Sequence, residues 1–520
     1  MLVHEFLVRA AKLYGPLPAV VDGERRFTYS QLDGRVRRLA AALQGLGLAQ
    51  GDRAACLAHN GFRYLEAFLA APLAGLVLAP INTRLAPPEV AFILNDAGAR
   101  VLLIQAAYVP LLETIRGELK TVERVIVLDG SPDAGALDYE GLLAAADPAA
   151  LRPRDWQPED LALLCYTGGT TGRPKGVMLS QRNVAANVRH AIQMLELNER
   201  DVWLHAAPMF HLADAWACYA LTALGARHVF MERFAAREAL ELIGAHGVTA
   251  TSIVPTMIFQ LLEVPHAKDY RLGSLRRISY GASPMPPARL QAAVELLGPI
   301  LQQSYGLTES APFLTCTTLR GTLLDPSPAG RRRWASCGQA LLGVELNLVD
   351  ARDRPVPPGG TGQIVARGPN VMLGYWNRPQ ETAAALRGGW LYTGDIATWD
   401  EEGWLYILDR AKDMIISGGE NIYSSEVEAA LYRHEAVLEA AVVGVPDPAW
   451  GEAVKAIVVL REGRAASAEE LIAHCRHWIA KFKCPKSVDF VPALPKSGAG
   501  KILKGELRKT YWAGQGRGVH

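Results

Sequence analysis

Between Tyr166 and Gly176 the chain reads Tyr-Thr-Gly-Gly-Thr-Thr-Gly-Arg-Pro-Lys-Gly, a concentration of glycine, hydroxyl and cation suited to holding an anion. Gly168, Gly169 and Gly172 let backbone amides approach an anion closely, Thr167, Thr170 and Thr171 add hydroxyl donors, and Lys175 adds positive charge. A polyphosphate is the ligand such a loop fits. The loop is not the arrangement G-x-x-x-x-G-K-[ST], because Arg173 and Pro174 separate Gly172 from Lys175 and a glycine follows the lysine. A plain surface turn draws on the same residue types. The flanks favour phosphate binding: an apolar strand at Leu161–Cys165 precedes the loop, and a helical pattern starts near Ser180.

Those flanks belong to a longer alternation of strands and helices. Phe27-Thr28-Tyr29 reads as a short strand, and Ser30 as the cap of a helix with apolar Leu32, Val36, Leu39 and Leu43 on one face. Unbroken apolar runs at Val101–Ile104, Val125–Leu128 and Leu161–Cys165, separated by helical segments, predict parallel sheet covered on both faces. From about Asp409 the texture changes. Runs at Leu438–Val443 and Val454–Leu460, a helix opened by the capping box Ser467/Glu470, and a Lys/Gly-rich tail predict a small α+β domain. The charged stretch Asp409-Arg410-Ala411-Lys412 suits an exposed boundary, which divides the chain into residues 1–411 and 412–520.

Composition narrows the partners. At 520 residues the chain exceeds one compact core, and 50% hydrophobic with 21% charged residues is an ordinary globular balance. Lys plus Arg number 54 against 53 Asp plus Glu, so no global basic field exists to hold nucleic acid or an anionic membrane. The longest apolar stretch, Ala67–Ile81, is shorter than the ~20 residues of a membrane span and is broken by Pro72 and Gly75. It reads as a buried passage from helix to strand. Glu5, Arg9 and Lys12 interrupt the N-terminal segment, so no signal peptide is expected. The 7 cysteines are scattered without a CxxC pair, which fits a reduced, cytoplasmic protein with no zinc site. His474 and His477 share a helix face, but two ligands do not make a metal site.

At the glycine-rich loop the sequence resembles the adenylate-forming superfamily, and within it the acyl-CoA synthetases. The resemblance extends over nearly the whole chain through further segments in the family's order. These are Pro208-Met209-Phe210-His211, Tyr280-Gly281-Ala282-Ser283-Pro284, Ser304-Tyr305-Gly306-Leu307-Thr308-Glu309 and Tyr392-Thr393-Gly394-Asp395. Asp409 to Asp413, Ser417-Gly418-Gly419-Glu420-Asn421 and Pro495 to Lys501 complete the set. The resemblance implies a large α/β domain, built of helix-covered sheets plus a small β-barrel-like unit, followed by a small mobile α+β domain.

The implied reaction has two halves. A carboxylate attacks the α-phosphorus of ATP to give an acyl-adenylate and pyrophosphate; the thiol of coenzyme A then displaces AMP. By resemblance, ATP and AMP lie against the 167–172 loop with Lys175, Gly281, Ala282, Ser283, Ser304, Tyr305, Gly306, Thr308, Asp395 and Arg410. Thr308 would touch the α-phosphate, while Glu309 with Thr167 would hold Mg²⁺. Asp395 would accept the ribose hydroxyls, and Lys501 would be the catalytic lysine of adenylation. Its loop carries Ser497 where many relatives have Thr. Taken alone, Glu309 is a surface carboxylate, Asp395 a turn residue and Lys501 an exposed tail lysine. Lys412 occupies the family's hinge position. Coenzyme A would meet Ser417, Gly418, Gly419, Glu420, Trp450 and Phe482, with Lys481 and Lys483 near its phosphates. One arginine used by certain relatives is Cys484 here, a departure from the pattern.

The acyl pocket is expected among His211, Trp216, Tyr280, Ser283, Gln303, Gly306 and Leu314, a mostly apolar set. Relatives that activate amino acids carry aspartate directly after the motif phenylalanine. Here His211 follows Phe210 and Asp214 is out of position, which argues against an α-amino acid. Acetate-type members have tryptophan where Gly306 stands, so the glycine is read as room for a longer chain or a ring. A medium-chain or branched fatty acid is favoured, with an aryl acid close behind. Alternatives are loading of a carrier protein and a non-catalytic nucleotide- or acyl-binding relative. A homodimer is an admitted assembly.

Overall fold

The computed structural model describes residues 2–130, 135–167, 174–283, 285–410, 412–417, 420–448, 450–497 and 500–513. Gly168, Gly169, Thr170, Thr171, Gly172, Gly418 and Gly419 lie outside the described residues.

Two large sheets build the first part of the chain. In the first, eight strands run in the spatial order Gly374–Tyr375, Lys175–Ser180, Leu161–Thr167, Val77–Pro80, Arg53–Leu57, Ala99–Ile104, Arg124–Val127, Leu137–Asp138. The second has nine strands; Arg227–Phe230, Val202–His205, Ala250–Ile253, Arg277–Tyr280 and Leu301–Gly306 are successive parallel neighbours at its centre. The unbroken apolar runs are central strands, as double-sided burial requires. Ala67–Ile81 is the end of the helix Phe62–Ala74 followed by the strand Val77–Pro80. The helix after Phe27 runs Tyr29–Gly45 and is capped by Thr28, which exchanges capping-box bonds with Gln31. This corrects the expectation that Ser30 is the cap. Thr28 already has extended backbone, and the glutamine stands at the reciprocating position.

A third, five-stranded antiparallel unit contains Glu345–Val349, Thr361–Arg367, Leu386–Arg387, Trp390–Trp399 and Leu405–Arg410. Its core of Leu348, Ile364, Ala366, Ala397 and Leu405 also takes in Tyr305 and Leu314 from the nine-stranded sheet.

The chain then enters the small domain. Its sheet joins Ile415–Ser417, Glu420–Ile422, Val437–Asp447, Gly451–Leu460 and Ser487–Phe490. Alternating side chains cover both faces. Ala440, Val442, Val454 and Ala456 pack against the helices Ser424–Leu431 and Ala468–Trp478. Ala441, Val443, Ile457 and Val459 pack beneath Leu494, Ile502 and Leu507. The capping box at Ser467 and Glu470 forms as read. All 7 cysteines are buried free thiols.

Candidate active site

Parallel strands end together, and the loops leaving their carboxyl ends share one edge of the sheet, where α/β proteins place ligands. Val202–His205 leads to His211, Ala250–Ile253 to Thr256, Arg277–Tyr280 to Gly281–Ser283, and Leu301–Gly306 to Thr308. The backbone is drawn tight here. A Cβ on Gly281 would sit 2.4 Å from the Ser304 carbonyl oxygen, so only glycine fits. Ala282 has φ +68°, a left-handed conformation that costs a non-glycine residue about 1–2 kcal/mol.

Glu309 lies in the turn Thr308–Ser310, where its Oε1 accepts the Tyr375 hydroxyl at 2.8 Å. Lys175 Nζ stands 4.3 Å from the centre of the Tyr375 ring. Tyr375 thus ties the cation of the glycine-rich loop to the carboxylate of the other sheet. Lys175 itself opens an antiparallel strand, Lys175–Ser180, in register with Thr167. The strands Leu161–Thr167 and Lys175–Ser180 are thus an antiparallel pair on either side of the loop, and the helix Gln181–Leu195, capped by Ser180, begins where the pattern places it. Glu309 has a second carboxylate oxygen besides the one that accepts from Tyr375. A hard cation shared between one carboxylate and phosphate oxygens fits that donor set.

The third unit supplies the other pole. Asp395, 4% exposed, accepts the Tyr305 hydroxyl at 2.9 Å on Oδ2 and faces Arg410 Nε at 3.1 Å on Oδ1. Asp395 and Arg410 are also register partners on adjacent strands. Neighbouring Asp409 turns the opposite way and accepts both the backbone N–H and the hydroxyl of Ser424, each at 2.6 Å. That bond holds the first residue of a small-domain helix.

Lys501 is carried to this pole by the small domain. Its turn is closed by Ser497 N–H to the Lys501 carbonyl at 2.7 Å and by Lys501 N–H to Ser497 Oγ at 3.2 Å. Gly500, at φ +78°, lies against the large domain; a Cβ there would meet Thr256 Oγ1 at 3.0 Å and Val254 Cγ2 at 3.4 Å. Burial, with Arg410 nearby, pushes the Lys501 ammonium down to about 8, and Asp395 and Asp413 oppose that shift. Among the described residues Lys501 forms no ion pair. Lys412 follows the last large-domain strand; its carbonyl accepts from Arg508 Nη1 at 3.0 Å, and Arg508 also pairs with Asp413. Burial and then Arg410 lower the Lys412 ammonium as well.

The acyl-pocket expectations divide. His211 precedes the helix Leu212–Leu224, and burial, then Arg84, pushes its imidazole down to about 4, so it is neutral at pH 7. The Tyr280 hydroxyl donates to Gln303 Oε1 at 3.3 Å. Trp216 is a core residue, with ring centres 5.0 Å from Trp203 and 5.4 Å from Phe313. Phe313 and Leu314 alternate across one strand, so Leu314 faces the core of the third unit while Phe313 faces Trp216. One pocket wall cannot contain both Trp216 and Leu314. Gly306 also changes meaning: a Cβ there would lie 1.8 Å from the Pro312 carbonyl oxygen, so close backbone approach accounts for the glycine. Asp214 is buried, accepting Trp203 Nε1 at 3.0 Å and paired with His205 Nδ1 at 2.5 Å.

On the small domain Ser417 is in register with both Glu420 and Gly451, which brings the hairpin end beside exposed Trp450. Phe482 is exposed in the turn Lys481–Lys483, and Lys483 Nζ is engaged by Glu426 at 2.8 Å. Two residues escaped the sequence reading: Tyr375, an unremarked aromatic in Gly-Tyr-Trp, and Thr256, marked only by the Pro255 that opens its helix.

Loops gathered along one sheet edge, a buried carboxylate paired with an arginine, and a lysine brought to that pair by a second domain are the arrangement expected of an adenylate-forming enzyme. Sequence comparison bears this out. The pattern of the AMP-binding enzyme family matches residues 7–376, and that of the AMP-binding enzyme C-terminal domain matches residues 426–501. A long-chain-fatty-acid–CoA ligase of Thermus thermophilus is 41% identical over 522 residues, covering 98% of this chain and 95% of the relative. A feruloyl-CoA synthase of an Amycolatopsis species is 39% identical over 506 residues, covering 97% and 98%. The crystal structure of the anthranilate CoA ligase AuaEII in complex with anthranoyl-AMP superposes with a TM-score of 0.92 at 28% identity, covering 98% and 97%. The chain belongs to the AMP-binding enzyme family, in its acyl-CoA ligase branch. It is an AMP-forming acid–thiol ligase whose substrates are a carboxylic acid, ATP and coenzyme A. No helix among the described residues is long and apolar enough to cross a membrane.

Proposed function

We propose that Lys501 is the cation of the adenylation step and that the acid activated is a medium-chain or branched fatty acid. The observation that carries this reading is a desolvated ammonium delivered beside Arg410 and Asp395. A carboxylate attacking the α-phosphorus adds negative charge to an already anionic centre, and the carboxylate–phosphorus bond forms as pyrophosphate leaves. Lys501 offsets that charge where little water competes. Asp395 takes the ribose hydroxyls, Thr308 the α-phosphate and Lys175 the leaving phosphates. Glu309 and Thr167 would hold Mg²⁺, which would supply charge neutralisation to the phosphates.

The second half-reaction needs the CoA thiol at the acyl carbonyl, where its attack expels AMP. Ser417 is in register with Glu420 and with Gly451, next to Trp450, and on this reading that hairpin serves the second step as the Lys501 turn serves the first. Rotation at Lys412 is the proposed exchange. Lys412→Pro, by fixing φ, should impair one half-reaction far more than the other; equal loss in both would remove the hinge.

The neutral imidazole of His211 suits an uncharged tail. An aryl acid is the second reading, supported by the similarity to a feruloyl-CoA synthase and an anthranilate CoA ligase. Pyrophosphate release across a panel of alkyl and aryl acids, with and without CoA and with products identified by mass spectrometry, tests both. Release confined to aryl acids would replace the fatty-acid reading. Adenylate without thioester would point to a carrier-protein acceptor. A cytoplasmic enzyme, with a homodimer as an admitted assembly, completes the proposal; sedimentation would measure the latter.

A further inference from the structure

Away from Lys501, a second group of contacts joins the small domain to the large one. Arg289, on the helix Pro287–Leu297 and only 7% exposed, donates to Glu263 Oε1 at 3.3 Å and to the Leu438 carbonyl of the small domain at 3.3 Å. Arg461 of the small domain pairs with the same Oε1 of Glu263. The Arg289 guanidinium lies 5.1 Å from the centre of Phe259, whose ring is 6.2 Å from that of Tyr432. Beside these contacts a cleft of about 400 Å³ opens between Pro287 and Ala288 on one side and Ala429, Arg433 and Trp478 on the other. The domains therefore meet through a few polar and aromatic contacts next to a gap.

These contacts are connected to Lys501 by one element. The helix Pro255–Leu262 begins beside Thr256 and Val254, against which Gly500 rests, and its C-cap is Glu263. Eight helical residues span about 12 Å as a rigid rod. Whatever holds the small domain at Glu263 thereby fixes the height at which the Lys501 turn meets Thr256.

We infer that Glu263, Arg289 and Arg461 are positioning residues for adenylation: a clamp that holds the small domain where Lys501 faces Asp395. The inference rests on the proposed role of Lys501 and on rotation at Lys412. A contact made in only one of two arrangements shifts the balance toward that one by its own free energy. Arg461 is the clean site to test, because its side chain is partly exposed and Glu263 keeps Arg289 when it is removed.

In Arg461→Gln, ATP–pyrophosphate exchange with octanoate should fall about fivefold, while thioester formation from supplied octanoyl-AMP and CoA holds or rises. Adding Glu263→Gln should contribute little further loss, and Arg461→Lys should restore most of the exchange. Hydrogen exchange of the substrate-free enzyme gives an independent readout: protection of the Gly500 and Lys501 amides should drop, while that of the strand Gly451–Leu460 is unchanged. Equal change in the two half-reactions, or unaltered protection at Gly500 and Lys501, would overturn the clamp. Lys501→Ala separates the two ideas. Adenylation surviving in that variant sinks the role of Lys501; adenylation lost there but unchanged in Arg461→Gln sinks the clamp alone.

Discussion

Lys501 and Lys504 are one helical turn apart in sequence, yet their surroundings are opposite. Lys504, at the start of the helix Lys504–Tyr511, places Nζ 2.7 Å from Glu428 Oε1 and 2.6 Å from Ser424 Oγ. Burial alone would lower its ammonium, but Glu428 and Asp409 outweigh it and the net shift is upward. Lys501 is half-buried beside Arg410 and is pushed down to about 8. A buried charge with its own carboxylate is neutralised within the fold and holds structure. One without such a partner keeps its field for whatever enters. The same residue type in one short segment is thus a fastener in one place and, on the role proposed for Lys501, a reagent in the other.

The contrast can be broken most sharply by truncation. Lys501→Ala should lower adenylation about 10²–10³-fold, read by ATP–pyrophosphate exchange, and leave thioester formation from preformed adenylate near normal. Lys504→Met should do the reverse: the small domain loses ~3 kcal/mol in denaturant unfolding, because Glu428 is left buried and unpaired, and the two half-reactions decline together. If Lys504→Met separated the half-reactions and Lys501→Ala did not, the roles would be exchanged. Gly500→Ala, forced to φ +78° against Thr256, should cost ~1 kcal/mol and appear as a severalfold loss in adenylation alone.

The smallest effect is the pH signature. A cationic Lys501 is the active form, so adenylation should fall as pH rises through about 8, and Lys501→Arg should carry activity further into alkali. The stability term has the opposite sign. Between about 8 and the unfolded value near 10.4 the unfolded chain binds more protons at this lysine. Its contribution therefore becomes more favourable as pH rises across that window. Lys501→Met should remove that increment from a series of urea titrations at successive pH values.

Much of this is legible in the sequence. Apolar runs became central parallel strands because double-sided burial leaves no alternation to disguise them. The box at Ser467 and Glu470 survived because capping is local chemistry. What escaped was set by distant partners. Trp216 looked like a pocket wall until Trp203 and Phe313 enclosed it. Gly306 looked like room for substrate until Pro312 filled the space. Leu314 went to the wrong face because register across the strand Phe313–Cys316 decides which of two neighbours looks inward. Tyr375 carried no signal at all; its value comes from standing between Lys175 and Glu309, residues remote from it in sequence.

The strand Leu405–Arg410 ends with Asp409 fastened to Ser424 and Arg410 facing Asp395, consecutive side chains answering to different domains. Its last two positions are therefore mechanically coupled. A change at Arg410 meant to retune nucleotide preference would shift the backbone that presents Asp409, and with it the resting posture of the small domain. On the proposed reading, a designer seeking a new acid has freer ground elsewhere, at His211 and at Gln303 on the strand Leu301–Gly306, neither of which is tied, among the described residues, to the small domain by a bond of this kind.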